Sequence, residues 1–144
     1  MNADIQAALK QYYGYDRFRP GQEEAVSAVL NGQDALCVMP TGAGKSMCYQ
    51  LPAAMLTGVT LVISPLISLM QDQVAALNQM GLRAAYLNST LTPRQMEKAM
   101  DNAMMGMYRL IYVAPERLDT PRMAALSANV PISLVAVDEA HCIS

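Results

Sequence analysis

Val38-Met39-Pro40-Thr41-Gly42-Ala43-Gly44-Lys45-Ser46 is the stretch whose reading decides the fold. An apolar run, Ala35 to Met39, ends in a glycine-bearing turn, and Lys45-Ser46 then open a segment that reads as helix. Gly42 and Gly44 allow the backbone to approach a ligand closely, so that successive N–H groups converge on phosphate oxygens at a helix N-terminus. Lys45 supplies the neutralising charge, the Ser46 hydroxyl is a candidate Mg²⁺ ligand, and Thr41 and Ala43 complete the cradle. The stretch departs from the strict G-x-x-x-x-G-K-[ST] pattern, because Met39 stands at the first glycine position. A glycine turn with a solvated lysine is the plainer alternative for these residues taken alone.

Outward from this turn, short apolar runs alternate with helical segments. The runs are Ala35 to Met39, Val59 to Ile63, Ala84 to Leu87, Leu110 to Val113 and Leu134 to Val137. Such runs, apolar on both faces and separated by helices, predict an α/β fold with a mainly parallel sheet of about five strands covered on both sides. Ser64 is a candidate N-cap with Pro65 opening the helix, whose face Leu66, Leu69, Met70, Val74, Leu77 runs to Gly81. Thr92-Pro93-Arg94-Gln95 is a capping-box pattern, and the helix behind it carries Met96, Met100, Met104 and Met107, expected as core filler. Upstream, residues 3 to 13 predict an amphipathic helix stopped by Gly14, followed by a polar turn and a second helix from Gly21 to Leu30.

The last run leads directly into Asp138-Glu139-Ala140-His141. With a phosphate loop in the same sheet, Asp138 is placed to hold Mg²⁺ and Glu139 to orient and deprotonate a water. Acids at an exposed strand end are the alternative for Asp-Glu alone, and His141 by itself reads equally as a structural histidine.

The composition, 53% hydrophobic and 15% charged over 144 residues, excludes a disordered chain. No apolar run reaches the length of a membrane span and no secretory start is visible, so a cytoplasmic protein without a membrane partner is expected. Cys37, Cys48 and Cys142 fit no zinc spacing and read as buried or incidental thiols. A net charge of -2 means that nucleic acid would be held by a few placed groups.

Taken together, the phosphate loop and Asp-Glu-Ala-His resemble superfamily 2 helicases. The segment Leu9 to Gln22, with Tyr13-Gly14 and Phe18-Arg19-Pro20-Gly21-Gln22, is similar to the motif ahead of the phosphate loop in RecQ DNA helicases. So are Ile63 to Gln73, Tyr112 to Arg117 and the closing Cys142-Ile143-Ser144. The resemblance covers essentially the whole chain, and the missing first glycine is usual among such helicases. It implies an N-terminal segment, residues 1–31, carrying an adenine-recognition motif, and an incomplete first RecA-like lobe over 32–144, with the second lobe absent. It implies ATP and Mg²⁺ as cofactors, with Arg19 and Gln22 on adenine, Lys45 and Ser46 on phosphates and metal, Asp138 and Glu139 in hydrolysis, and His141 coupling nucleotide state to DNA. The implied activity is 3′–5′ translocation on single-stranded DNA and duplex unwinding, as used in repair and recombination.

The residues themselves agree on where DNA would lie, since ligands of open parallel sheets bind beyond the carboxyl ends of the strands. There the chain places Ser64-Pro65, Asn88-Ser89-Thr90 and Ala114-Pro115-Glu116-Arg117, besides both nucleotide anchors, with Ser64, Pro65, Ser89, Thr90, Pro115, Glu116 and Arg117 as the candidate contacts. Ordinary helix caps are the alternative at each turn, and Arg117 has Glu116 and Asp119 as possible ion-pair partners. Two other functions stay open on the residues: a P-loop ATPase that is not a DNA motor, and a non-catalytic nucleotide-binding fragment. Because the chain stops three residues after His141, very slow turnover and marginal stability with open strand edges are expected of it alone.

Overall fold

A computed structural model describes residues 2–32 and 46–137. The apolar run Ala35 to Met39, the phosphate-loop residues Thr41 to Lys45, and Asp138, Glu139, His141, Cys37 and Cys142 lie outside the described residues. The chain divides into two units, residues 1–56 and 57–144.

The first unit is helical. Helix α1 spans Asn2–Tyr13, α2 spans Gln22–Leu30 and α3 spans Met47–Met55. The expected stop at Gly14 is present: its φ of 75° lies in the left-handed region, and its N–H donates to the Lys10 carbonyl at 3.0 Å. Helical spacing brings Ile5 and Leu9 of α1 against Val26 of α2 and Met47 and Leu51 of α3, forming one apolar cluster. Tyr12, Tyr13, Phe18 and Leu30 pack around it. The Tyr13 hydroxyl donates to Gln50 Oε1 at 2.6 Å, which satisfies the polar tip of a ring whose body packs on the cluster. Cys48 is buried, as a thiol without a zinc pattern was expected to be.

The second unit is a parallel sheet with helices. Its elements are β1 (Val59–Ile63), α4 (Ile67–Gln79), β2 (Ala84–Leu87), α5 (Pro93–Met104), β3 (Leu110–Val113), a 3₁₀ turn (Pro115–Arg117), α6 (Pro121–Asn129) and β4 (Ile132–Val137). The strand order is β2-β3-β1-β4, every pairing parallel, so each connection is a crossover carrying a helix. Strand β3 is central and buried on both faces: Leu110, Ile111, Tyr112 and Val113 are each 1% exposed or less. On one face Ile111 and Val113 join Leu61 and Leu87 beneath Met100 and Ala103 of α5 and Met123 and Leu126 of α6. Helix α4 lies against β2, where the Asn78 side chain accepts from the Ala84 N–H at 2.9 Å and donates to its carbonyl at 3.3 Å.

Three local expectations change. Helix α4 begins at Ile67, with Leu66 at the cap position, not with Ser64 as cap and Pro65 as first residue. Ser64 is instead tied to the sheet, its N–H donating to the Val113 carbonyl at 3.2 Å, and its hydroxyl accepts the Leu66 N–H two residues on, closing a local turn ahead of the helix. The methionine stripe is core only in part: Met100 is buried, Met104 is 40% exposed, and Met107 lies beyond the end of α5. Strand β4 is not covered on both faces. A register shift between Val59 and Thr60 sets Val135 opposite Leu61 and Val137 opposite Ile63. These valines are 53% and 52% exposed, because the cluster under α5 and α6 reaches Leu61 but includes neither of them.

The capping box on α5 is present in full, with Thr92 Oγ1 accepting from the Gln95 N–H at 3.1 Å and Gln95 Oε1 accepting from the Thr92 N–H at 2.9 Å. Helix α6, not anticipated, carries the same kind of signal in Thr120-Pro121, with Thr120 as a side-chain cap.

Gly58 is the glycine the sheet cannot replace. Its φ is +90°, and a Cβ there would meet the Ser133 hydroxyl and stand 2.9 Å from the Pro131 carbonyl oxygen. That carbonyl accepts the Val59 N–H at 2.9 Å, and the Ser133 hydroxyl donates to the Thr57 carbonyl, so neither neighbour can withdraw without losing a bond. Gly58→Ala is therefore expected to destabilise the chain by about 1–3 kcal/mol, read as a lower urea midpoint. An unchanged midpoint would mean that the β1 and β4 entries separate easily.

Candidate functional site

In the first unit Arg19 and Gln22, the residues expected at adenine, sit on the turn between α1 and α2. Gln22 is 2% exposed, and its Oε1 accepts the Arg19 N–H at 2.8 Å while the Gln22 N–H donates to the Arg19 carbonyl at 3.1 Å. The side chain thus fixes the Arg19–Gln22 turn, whereas Arg19 itself is exposed. Tyr15, not singled out from sequence, is 53% exposed and stacks on Tyr13 with ring centroids 6.3 Å apart and planes inclined by 19°. An aromatic directly after the helix-stopping Gly14 and ahead of Arg17 and Arg19 was the available signal.

Ser46 is the one phosphate-loop residue that is described. It holds the N-cap position of α3 with helical φ and ψ of −61° and −31°, and its carbonyl accepts the Gln50 N–H at 2.9 Å. Its hydroxyl makes no capping bond, so the oxygen is not consumed by the helix it precedes. An oxygen donor at a helix N-terminus suits a hard cation held together with phosphate, and the residue therefore fits Mg²⁺.

In the second unit the three proposed contact turns fall on one rim. Ser64 follows β1, Asn88 follows β2 and Ala114 follows β3, and the register aligns Ile63 and Leu87 with Val113. Parallel pairing therefore brings Ser64-Pro65, Ser89-Thr90 and Pro115-Glu116-Arg117 to the carboxyl ends of three adjacent strands. Strand β4 ends at Val137 opposite Ile63, so the acidic pair follows directly in sequence. The turns differ in what they present. Ser64 is 5% exposed and its Oγ accepts the Leu66 N–H at 3.2 Å, which makes it chiefly a turn-holding residue. Ser89 and Thr90 are exposed, as is Glu116, with Arg117 half-buried. Among the described residues Arg117 forms no ion pair with Glu116 or Asp119.

Asn88 belongs to the same strand-end turn as Ser89 and Thr90 but was not among the candidate contacts. It is 1% exposed; its Oδ1 accepts from the Thr90 N–H at 2.9 Å and from the Thr90 hydroxyl at 2.5 Å, while its amide faces Met70 Sδ at 3.4 Å. A buried carboxamide of this kind shapes the Ser89-Thr90 turn from beneath. Asn88→Ala would leave the Thr90 N–H without its acceptor, for an expected loss of about 1–3 kcal/mol seen in urea unfolding. A full-stability variant would show that the turn holds itself.

Comparison with known proteins adds to this geometry. The family described as DEAD/DEAH box helicase matches residues 19–144. The chain is 49% identical over 140 residues to the ATP-dependent DNA helicase RecQ of Bacillus subtilis, an alignment that covers 96% of this chain and 24% of that protein. It is 50% identical over 138 residues to the RecQ helicase of Haemophilus influenzae, covering 96% of this chain and 22% of that one. The chain thus spans about a quarter of the length of these relatives. Among solved structures, the DUF1998 helicase MrfA bound to DNA and AMPPNP superposes with a TM-score of 0.73 at 25% identity, over 96% of this chain and 21% of that one.

Proposed function

We propose, from the premise that this chain belongs to the DEAD/DEAH box helicase family, that it is the ATP-binding part of a RecQ-type DNA helicase that moves 3′–5′ along single-stranded DNA. The observation that supports this most is the sheet itself. Three adjacent strand ends deliver exposed hydroxyls, an arginine and a helix start to one rim, and the fourth strand runs on into Asp-Glu-Ala-His.

In this reading the backbone N–H groups of Thr41 to Lys45 hold the nucleotide phosphates and Lys45 neutralises them. Ser46 and Asp138 hold Mg²⁺, which supplies charge neutralisation at the phosphates. Glu139 orients the attacking water and takes its proton, so that displacement proceeds in line with the leaving oxygen. His141, next after Ala140, carries the state of the phosphates toward the DNA rim. Arg19 and the outer face of the Tyr15 ring hold the adenine, with the Gln22 carboxamide fixing the turn that presents them. Along the rim, the Ser89 hydroxyl and the Arg117 guanidinium contact phosphates of a single strand, with Pro65, Pro115 and Thr90, whose hydroxyl proton goes to Asn88, shaping the turns on which they stand. Contacts of this type track a backbone without reading sequence.

The testing experiment is titration of the 144-residue chain with a fluorescent ATP analogue, with and without Mg²⁺, followed by anisotropy of a labelled oligo(dT) at low salt. Saturable, Mg²⁺-dependent analogue binding and salt-sensitive oligo(dT) binding are expected. Failure of the analogue to saturate would overturn the ATP assignment, and oligo(dT) binding insensitive to Ser89 and Arg117 substitution would overturn the rim.

A further inference from the structure

A cavity of about 150 Å³ opens beside the rim, and its chemistry differs from that of the rim. Its apolar lining comes from Leu87 at the end of β2, Met100 of α5 and Met123 of α6, all buried, together with the half-buried Met96. Among the described residues the charged part of the lining is wholly cationic. Arg117 and the exposed Arg122 border the cavity, while Glu116 and Asp119 of the same turn do not. Neither guanidinium forms an ion pair among the described residues. Thr120 also borders it, but its hydroxyl is committed, donating to the Arg117 carbonyl at 3.0 Å and accepting the Met123 N–H at 3.3 Å.

We propose that this cavity docks an acidic segment of a partner protein, which inserts one bulky apolar side chain among the methionines and lays its flanking carboxylates on Arg117 and Arg122. Apolar cavities of about 150 Å³ take up a single benzene ring, so the space suits one aromatic or branched side chain. Methionine linings adapt to the shape of such an anchor. Arginines bind carboxylates in bidentate fashion, and the first turn of α6, capped by Thr120, favours an anion at the same place. An apolar anchor ringed by charge pairs is a common arrangement of interface hot spots. A nucleobase is the poorer occupant, because its edge carries donors as well as acceptors, and Leu87, Met96, Met100, Met123 and the two donor-only arginines leave the donors it would bury without a partner. The proposal stands on the cavity alone and does not require ATP binding.

The test uses the 144-residue chain and a fluorescein-labelled peptide, Glu-Asp-Asp-Phe-Asp-Asp-Glu, followed by anisotropy. Saturable binding is expected, weakened about tenfold or more when Ala replaces Phe in the peptide. Arg122→Glu, at an exposed position outside the ATP and DNA assignments, should weaken it comparably, and so should Met96→Trp, which fills the cavity. Binding of the ATP analogue and the urea midpoint should stay at parent values in both variants, which separates loss of the cavity from loss of the fold or of the nucleotide site. Should Met96→Trp perturb folding, Arg122→Glu and the Ala peptide decide the matter. The proposal is overturned by absence of saturable binding, by indifference to the Phe replacement, or by Met96→Trp weakening oligo(dT) while sparing the peptide, which would mark the cavity as a base pocket.

Discussion

Lys45→Ala is expected to weaken binding of the ATP analogue by roughly 10- to 100-fold. A hydrogen bond to a charged group contributes about 1.5–3 kcal/mol, and each ~1.4 kcal/mol is a factor of ten in affinity. In a phosphate loop the lysine is the only side chain bringing a full positive charge to the phosphates, so the remaining backbone N–H groups cannot replace it. The loss should persist at saturating Mg²⁺, because a cation held by Ser46 and Asp138 would add charge neutralisation without replacing the lysine's own hydrogen bonds. It should leave the urea midpoint unchanged, since the substitution removes a ligand contact and not core packing. Analogue binding equal to the parent chain would mean that Gly42-Ala43-Gly44-Lys45 is a plain turn, and the ATP assignment would fall with it.

The second large effect concerns stability. Ile111 is fully buried at the middle of β3, between β2 and β1 and beneath α5 and α6. Ile111→Ala should cost about 2–5 kcal/mol, the lost transfer free energy plus the cavity left where the sheet cannot collapse. Whole domains are stable by only about 5–15 kcal/mol, so the substitution removes a large share. With urea slopes of about 1–3 kcal/mol per molar, the midpoint should fall by roughly 1–3 M. Val135→Ala is the control in the same sheet. Val135 is 53% exposed, and its truncation should change stability by no more than about 0.5 kcal/mol. Equal losses at both positions would mean that the exposed face of β4 is covered in solution, by another copy or by other chain, and concentration dependence of the Val135→Ala effect would identify the former.

Much of this was legible in the residues alone. The runs Val59 to Ile63, Ala84 to Leu87 and Leu110 to Val113 coincide with β1, β2 and β3, because a strand buried on both faces must be apolar throughout and reads as such locally. The capping box at Thr92 and the stop at Gly14 were equally legible, since both depend on residues within one turn of each other. The phosphate loop and the acidic pair were read from residue type and spacing, and the family match over residues 19–144 spans both stretches.

Other features were decided only by tertiary structure. Leu134 to Val137 is as apolar as the other runs, yet Val135 and Val137 are half-exposed, because hydropathy records what a side chain is and not what lies over it. Ser64 looked like a helix cap, but its hydroxyl closes a turn on Leu66 while its N–H is held by Val113, a residue distant in sequence and adjacent only across the sheet. Strand order β2-β3-β1-β4 likewise comes from long-range pairing, and it is this order that gathers three separate turns on one rim. The cavity between α5, the 3₁₀ turn and α6 has no signature in the chain, since Met96, Arg117 and Arg122 meet there only after packing. Short-range hydrogen bonding and side-chain chemistry thus determined the elements and suggested the nucleotide anchors proposed above. Which surfaces those elements cover, and which they leave open, depended on contacts between residues far apart in the sequence, where burial is a property of the assembly and not of any one segment.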